Sequence, residues 1–154
     1  MYPLILAVHS LLRWVVLGAG LVAFGRALAG MRALRPWTAG DDRAGQLFVG
    51  TLDLQFLIGL VLYVGLSPIT RVAFEDFGAA MGNSMLRFWA VEHIFGMVIA
   101  VALAHVGRVR VRKTTDAVRR QRLTAIFFGL ALVAIVATIP WPGTAAGRPL
   151  FRGF

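Results

Sequence analysis

Two histidines in this chain, His9 and His93, have the type and spacing to bind a metal-bearing cofactor. Each lies inside a long apolar segment. At a helical rise of ~1.5 Å per residue, His9 lies about six residues (~9 Å) and His93 about eight residues (~12 Å) from the outer end of its segment. Two imidazoles at matched depth on different membrane helices are the arrangement that ligates the iron of a b-type haem at both axial positions. Structural hydrogen bonding by each histidine is the alternative interpretation.

The residues that share a helix face with His93 favour such a site. At ~100° per residue, Trp89 and Gly96 both fall near His93, with a large ring on one side and a small residue on the other. Small residues beside a histidine make room for a flat macrocycle. The spacing of Gly96, Ala100 and Ala104 is equally typical of close packing between membrane helices.

Arg13, one turn after His9, and Asp53 both fall near the centre of their apolar segments. Because a charge at that depth costs about 2.5–3.5 kcal/mol on insertion scales, the sequence predicts a structural ion pair between Arg13 and Asp53. The functional alternative is that Arg13 anchors a haem propionate, or that Asp53 and Glu92 belong to a proton path. His105 lies close to the inner end of its segment and is predicted to be interfacial.

Four apolar segments position these side chains, each of about the ~20 residues needed to cross a bilayer. They run from Pro3 to Leu28, from Ala44 to Leu66, from Met85 to Gly107 and from Leu123 to Pro140. Unpaired backbone groups are costly in lipid and the alternating pattern of barrel strands is absent, so each segment is predicted to be a helix. The expected fold is an all-α integral membrane four-helix bundle, with residues 1–154 forming a single transmembrane domain. The connection after the second segment is predicted as a loop in which Ser67-Pro68 ends one helix and Gly82-Asn83-Ser84 can cap the next.

The composition fits a membrane protein. Of the 154 residues, 58% are hydrophobic, more than a soluble domain of this size buries in one core. The formal net charge is +9, but the basic residues lie between apolar segments and not on an amphipathic face, so nucleic acid is not an expected partner. The chain has no cysteine, which excludes disulfides, Cys-ligated zinc, iron–sulfur clusters and covalently attached c-type haem.

The basic residues predict an orientation. Eleven of the sixteen Lys and Arg residues lie in two connections, Arg26 to Arg43 and Arg108 to Arg122. The positive-inside rule places these connections in the cytoplasm and both termini on the outer side of the membrane. The expected protein is therefore multi-pass and in contact with the lipid bilayer.

Strings from all four segments carry a resemblance. They are HSLLRW from His9, Gln55 followed by Gly59 and Tyr63, Glu92-His93 with HVGR from His105, and IPWP from Ile139. This pattern resembles a family of small four-helix bacterial membrane proteins labelled cytochrome b-like. The resemblance implies haem ligation by His9 and His93, and a histidine is common in that family at the position of Asp53.

The expected function is that of a cytochrome b-like subunit that holds haem b for electron transfer among other membrane subunits of a respiratory or photosynthetic complex. In a photosynthetic assembly, the same histidines would bind bacteriochlorophyll, or nothing. No nucleophile–base constellation or glycine-rich phosphate loop is present, which argues against a hydrolase or a nucleotide-dependent enzyme. The alternative is a cofactor-free accessory subunit that packs against partner helices. A proton-conducting protein or transporter is a third interpretation, disfavoured by the absence of an inverted repeat.

Overall fold

The computed structural model describes residues 1–151, and Arg152 to Phe154 lie outside the described residues. The long helices are α1 (Tyr2–Ala33), α2 (Ala39–Leu66), α5 (Ser84–Arg112) and α6 (Ala117–Ala137), with the short α3 (Pro68–Glu75) and α4 (Phe77–Gly82) before α5. Each of the four long helices has the length and hydropathy to cross a membrane. This confirms the all-α fold with four helices long and apolar enough to span a membrane.

Capping residues move several helix ends away from the predicted apolar segments, so that α1, α2 and α5 are longer than predicted and α6 runs from Ala117 to Ala137 instead of from Leu123 to Pro140. α1 ends at the residue before Leu34, which adopts the left-handed conformation with φ 49°. α2 begins after Thr38, whose side chain accepts from the Asp41 backbone N–H while the Asp41 carboxylate accepts from the Thr38 N–H. α6 begins at Ala117, because the Asp116 carboxylate caps its first turn.

The connection between α2 and α5 differs from the predicted loop, because it folds into α3 and α4. The Ser67 side chain caps α3, the Asp76 side chain caps α4, and the Asn83 side chain accepts two backbone N–H groups at the start of α5. The helix stop at Ser67 and the cap at Asn83 are confirmed. α3 buries Thr70 and Ala73 against the bundle, so these short helices cover one end of it.

The four long helices pack in the cyclic order α1, α2, α5, α6, which places α1 diagonally opposite α5. In the core, the rings of Phe48 on α2 and Phe128 on α6 meet edge to face with centroids 5.0 Å apart. Gly20 on α1 lets these side chains approach, since a Cβ at that position would lie 2.8 Å from the Phe48 ring. Of the adjacent pairs, α2 and α5 are the least closely packed.

The outer surface of the bundle is apolar. Side chains such as Leu21, Leu57 and Val133 are about three-fifths exposed (60%, 59% and 66%). A surface of this kind suits contact with lipid. We call the end of the bundle where α1 begins and α6 ends the terminal end, and the opposite end, with the Arg-rich connections, the basic end.

The basic end is held by two acidic residues at the start of α2. The buried Asp41 carboxylate lies 3.0 Å from Arg26 and 2.6 Å from Arg35, and Asp42 lies 2.8 Å from Arg108 of α5. The hydrogen bond to Asp41 raises the pKa of the Arg35 guanidinium above its ordinary value, so this arginine stays charged. The two acidic residues therefore connect α2 to its neighbours on both sides.

Candidate functional site

The terminal end of the bundle encloses a cavity of about 130 Å³ between the four long helices. Its walls include His9 and Arg13 of α1, Gln55 of α2, and Trp89 and His93 of α5. Because α1 and α5 are diagonal, the two histidines reach this one cavity from opposite sides of the bundle. We call it the histidine cavity.

His93 is oriented by the carbonyl at the end of α6. Its Nδ1 lies 2.8 Å from the Thr138 carbonyl oxygen. A carbonyl only accepts, so Nδ1 carries the proton and Nε2 keeps its lone pair. Metal-ligating histidines typically make this kind of hydrogen bond through the other ring nitrogen. The rings of Phe88 and Trp89, with centroids 5.9 and 5.5 Å from that of His93, restrict the imidazole further.

His9 is positioned by α2. A Cβ on Gly59 would lie 3.0 Å from His9 Cε1, so the glycine provides space for the imidazole ring. One turn earlier on α2, the Gln55 side-chain amide donates to the His9 backbone carbonyl at 2.9 Å, which fixes α1 against α2 at this level. His9 Nδ1 is buried and has no hydrogen-bond partner within residues 1–151.

Arg13 brings a positive charge to the histidine cavity. It is 9% exposed, and its Nη2 donates to the Leu150 carbonyl at 2.7 Å. Its guanidinium also lies 5.0 Å from the ring centroid of Trp14. Arg13 Nε is buried without a partner, and no carboxylate pairs with this arginine in the described part of the chain.

The predicted ion pair between Arg13 and Asp53 is not formed. Asp53 Oδ1 lies 2.8 Å from His105 Nε2 of α5 instead. The reason is the rotation of α2: Gln55 faces α1, and Asp53, two residues earlier, is about 160° away around the helix. Asp53 and His105 have side-chain exposures of 39% and 50%, so the pair lies on the outer surface of the bundle. The prediction for His105 was an interfacial position and named no side-chain partner. The structure adds its contact with Asp53.

Of the other two predicted cavity residues, Trp89 lies in the cavity wall and Gly96 does not. Trp89 lines the histidine cavity, and Arg148 lies over its ring at 5.3 Å. Gly96 is not among the lining residues. It is buried where α5 crosses the end of α6, and a Cβ there would overlap the Thr138 side chain. Gly96 thus allows close packing of two helices, as the alternative interpretation of its spacing predicted, and a place for Gly96 beside a cofactor stays a prediction.

Glu92 does not contribute to a proton path with Asp53 in this arrangement. Its carboxylate lies 2.7 Å from Arg87 Nε, and both side chains are nearly half exposed. The pair lies at the first turns of α5, at the terminal end. Asp53 lies in the middle of α2, where its partner is His105.

Two π-helical turns lie next to the cavity and carried no signal in the sequence. They span Leu62–Leu66 in α2 and Phe88–Glu92 in α5. The Tyr63 hydroxyl of the first turn donates to the Ala90 carbonyl of the second at 2.6 Å. The wider turn leaves carbonyls available to such donors, and π-helical turns are frequent at functional sites.

The segment after α6 covers the mouth of the cavity, and sequence reasoning did not place it there. Pro140, Arg148 and Pro149 are lining residues, and the Leu150 carbonyl accepts from Arg13 and from the Trp14 indole at 3.2 Å. The one signal available was the Pro140-Trp141 pair. Pro140 cannot donate to the Val136 carbonyl, and the Trp141 indole N–H does so instead at 2.9 Å, which folds the chain back.

The arrangement can bind a ligand with both apolar and polar parts. Most of the cavity wall is apolar, and three of its lining residues each have a buried atom without a partner within residues 1–151: His9 Nδ1, Arg13 Nε and Gln55 Oε1. The donor set fits haem, because it has two imidazoles from opposite helices and a cation for a carboxylate. The cavity volume of about 130 Å³ is too small for a whole macrocycle, since ligand pockets usually measure about 300–1,000 Å³.

Comparison of the chain with protein-family models, with curated proteins and with solved structures gave no match. The resemblance of its motifs to cytochrome b-like proteins therefore stays a prediction. What the coordinates establish is a helical bundle with four segments able to span a membrane.

Proposed function

We propose that this chain is a cytochrome b-like membrane protein that binds one haem b between His9 and His93 and serves in electron transfer. The supporting observation is that both histidines line one cavity with three buried polar atoms that lack partners among residues 1–151. Buried polar atoms without partners are costly and are rarely kept without a function. A ligand with polar groups would satisfy them.

Each cavity residue has a role in this proposal. The hydrogen bond of His93 Nδ1 to the Thr138 carbonyl leaves Nε2 for the iron, and His9 offers the second imidazole beside Gly59. Arg13 supplies a fixed positive charge and a free N–H for a propionate. The haem, when bound, supplies one-electron redox chemistry.

We call residues 138–151, which follow α6, the covering segment. This part of the cavity wall would have to move for a macrocycle to enter. It rests on α1 mainly through one carbonyl, that of Leu150, and through stacking of Phe151 on Trp14 with centroids 5.6 Å apart. Of the adjacent long helices, α1 with α2, α1 with α6 and α5 with α6 are, by contrast, closely packed, and α2 with α5 less so. Widening of the cavity is therefore expected at its mouth.

The proposed setting is a bacterial inner membrane, with both termini outside and with other membrane subunits of a respiratory or photosynthetic complex as partners. In support of this orientation, exposed basic side chains such as Arg32, Arg43 and Arg112 gather at the basic end. Such side chains suit the anionic headgroups of a cytoplasmic leaflet. In a photosynthetic complex, bacteriochlorophyll is the pigment that the same histidines would hold.

Absorption spectra of the purified, detergent-solubilised protein, oxidised and then reduced with dithionite, test the proposal. We expect a Soret band and the sharp reduced bands of a low-spin, bis-histidine haem. Replacement of either ligand, His9→Ala or His93→Ala, should abolish the low-spin signal. The matched control is His105→Ala, which removes the third histidine outside the cavity and should leave the spectrum unchanged.

Two results would overturn the haem proposal in different ways. A featureless difference spectrum from folded protein, prepared with haem in excess, means that no haem is bound. A low-spin signal that persists in both cavity variants means that the ligands lie elsewhere.

A cofactor-free accessory subunit is the second candidate, and the small volume of the cavity favours it. In that case, His93 is a structural hydrogen-bond donor to Thr138 and the apolar outer surface packs against partner helices. Purification from native membranes in mild detergent distinguishes this function. Stoichiometric recovery of other membrane subunits without haem is expected, and release of the protein without any partner would count against it.

A further inference from the structure

A polar pair lies on the apolar outer surface of the bundle, away from the histidine cavity. Asp53 of α2 and His105 of α5 are 2.8 Å apart and are 39% and 50% exposed. Asp53 lies nine residues after Ala44, where the apolar part of α2 begins, and 13 residues before the helix end at Leu66, which is roughly 14 and 20 Å of helical rise. His105 lies seven residues, roughly 10 Å, before the end of α5 at Arg112, so the pair is inside the span and nearer to the basic end. The neighbouring side chains on this surface, such as Leu57 and Val106, are apolar and exposed (59% and 44%).

Lipid cannot satisfy this pair. Acyl chains offer no hydrogen-bond donor or acceptor, and the side chains of Asp53 and His105 are too short to span roughly 10 Å of helical rise to the headgroups. Polar side chains at this depth almost always face protein or a water-filled cavity. The surface that carries the pair therefore needs a protein partner.

The pair is complementary to a copy of itself. The contact between His105 Nε2 and Asp53 Oδ1 leaves the other ring nitrogen, Nδ1, and the other carboxyl oxygen, Oδ2, without a hydrogen bond within the described chain. An imidazole N–H donates hydrogen bonds and a carboxyl oxygen accepts them. Two copies related by a two-fold axis along the membrane normal would match each donor to an acceptor at the same depth.

The residues around the pair permit close approach. Gly50 lies one turn from Asp53 on α2, is exposed, and has nothing within 4 Å of the position of its Cβ. Ala102 lies one turn from His105 on α5 and is also exposed. Small residues beside polar ones are typical of interfaces between membrane helices.

We infer that the α2–α5 surface around Asp53 and His105 is the contact between two copies of this chain in the membrane. This surface is distinct from the histidine cavity, so the inference does not depend on haem binding. A second copy always presents the same pair at the same depth, whereas any other subunit would need a matching polar group there.

The absence of native cysteines allows a clean cross-linking test. Gly50→Cys places a thiol at the proposed contact, and Gly18→Cys places one on the exposed side of α1, where a Cβ also meets nothing within 4 Å. Native membranes are oxidised with copper phenanthroline and the product is sized on a non-reducing gel. We expect a disulfide dimer severalfold more abundant for Gly50→Cys than for Gly18→Cys. Adding Asp53→Leu and His105→Leu to the Gly50→Cys chain should reduce the dimer to the Gly18→Cys level.

The test has clear contrary results. Equal yields for the two cysteines would overturn the inference, as would an undiminished dimer in the leucine variant. A Gly50→Cys adduct whose mass is not twice that of the chain would mean that another subunit covers this surface. The comparison of Gly50 with Gly18 keeps native Asp53 and His105, so it stands even if the leucine variant does not fold.

Discussion

The two adjacent carboxylates at the start of α2 provide a matched test of what holds the basic end together. Asp41 is 5% exposed and accepts hydrogen bonds from Arg35 at 2.6 and 2.7 Å, from Arg26 at 3.0 Å and from Thr38. Asp42 forms one ion pair, with Arg108, and its side chain is 44% exposed. We predict that Asp41→Asn destabilises the protein strongly and that Asp42→Asn does not.

The expected difference follows from burial. Asparagine keeps the shape of Asp41 and one acceptor, so part of the cap at Thr38 survives, but both arginines lose their counter-charge. Breaking a fully buried ion pair costs about 3–5 kcal/mol, and the partial exposure of the two arginines screens part of this. We therefore expect a loss of about 2–4 kcal/mol for Asp41→Asn. For Asp42→Asn, the loss expected is about 0.2–1 kcal/mol, as for other exposed pairs.

Thermal unfolding in detergent, followed by loss of the monodisperse peak in size-exclusion chromatography, measures the difference. A loss of about 2–4 kcal/mol corresponds to a fall in Tm of roughly 5–15 °C for a chain of this size. The Asp42→Asn protein should stay within about 4 °C of the parent. If the two variants unfold at the same temperature, burial does not decide the strength of these pairs and the reasoning is wrong.

Two further substitutions test how the helices meet at the terminal end. Gly96→Ala should cost about 1–3 kcal/mol, because its Cβ would overlap the Thr138 side chain, whereas Gly18→Ala should be neutral or stabilising; a comparable drop in Tm for both would contradict this. Tyr63→Phe removes the hydrogen bond to Ala90, so it should cost about 1 kcal/mol and speed hydrogen exchange of the backbone amides in the π-helical turn of α2; unchanged exchange would show that the turn does not depend on the hydroxyl.

The sequence was sufficient to predict elements whose signal is averaged over many residues. Four apolar segments of spanning length identify the long helices whatever the rotation of each helix. The convergence of His9 and His93 followed from depth alone, because the central cavity of a small bundle is within reach of helices on both sides. The helix stop at Ser67-Pro68 and the cap within Gly82-Asn83-Ser84 were also readable, since proline ends a helix and a short polar side chain before an apolar run favours a cap.

Features that depend on helix rotation were not predictable in the same way. Depth placed Arg13 near Asp53, but depth says nothing about which face of α2 the carboxylate occupies. The position of Gln55 held usable information. Asp53 and Gln55 lie on nearly opposite faces of α2, so they cannot both point to α1. A choice between them needed the packing partner of α2, which single-helix patterns do not contain. The role of Gly96 was uncertain for the same reason, since a small residue can face a cavity or a neighbouring helix.

The return of the chain after α6 depended on interactions between residues far apart in sequence. Leu150 contacts Arg13 and Trp14 through its backbone carbonyl, which every residue possesses and which leaves no trace in the residue type. Likewise, His93 is oriented by the carbonyl of Thr138 and not by its side chain. Sequence reasoning finds side-chain partners more readily than backbone partners for this reason.

The contrast between the two ends of the bundle bears on where function lies. At the basic end, Asp41 satisfies two arginines and a helix cap, and one buried polar atom, Gln121 Oε1, lacks a partner within residues 1–151. At the terminal end, His9, Arg13 and Gln55 each leave a buried polar atom unpaired within residues 1–151. Apolar side chains at these three positions would remove that cost, and the surrounding wall shows that the chain readily uses them. If the cavity were only a packing defect, its unpaired polar atoms would destabilise the folded protein with no compensating interaction. Their concentration around His93 is what a binding site requires and what a purely structural end of the bundle does not.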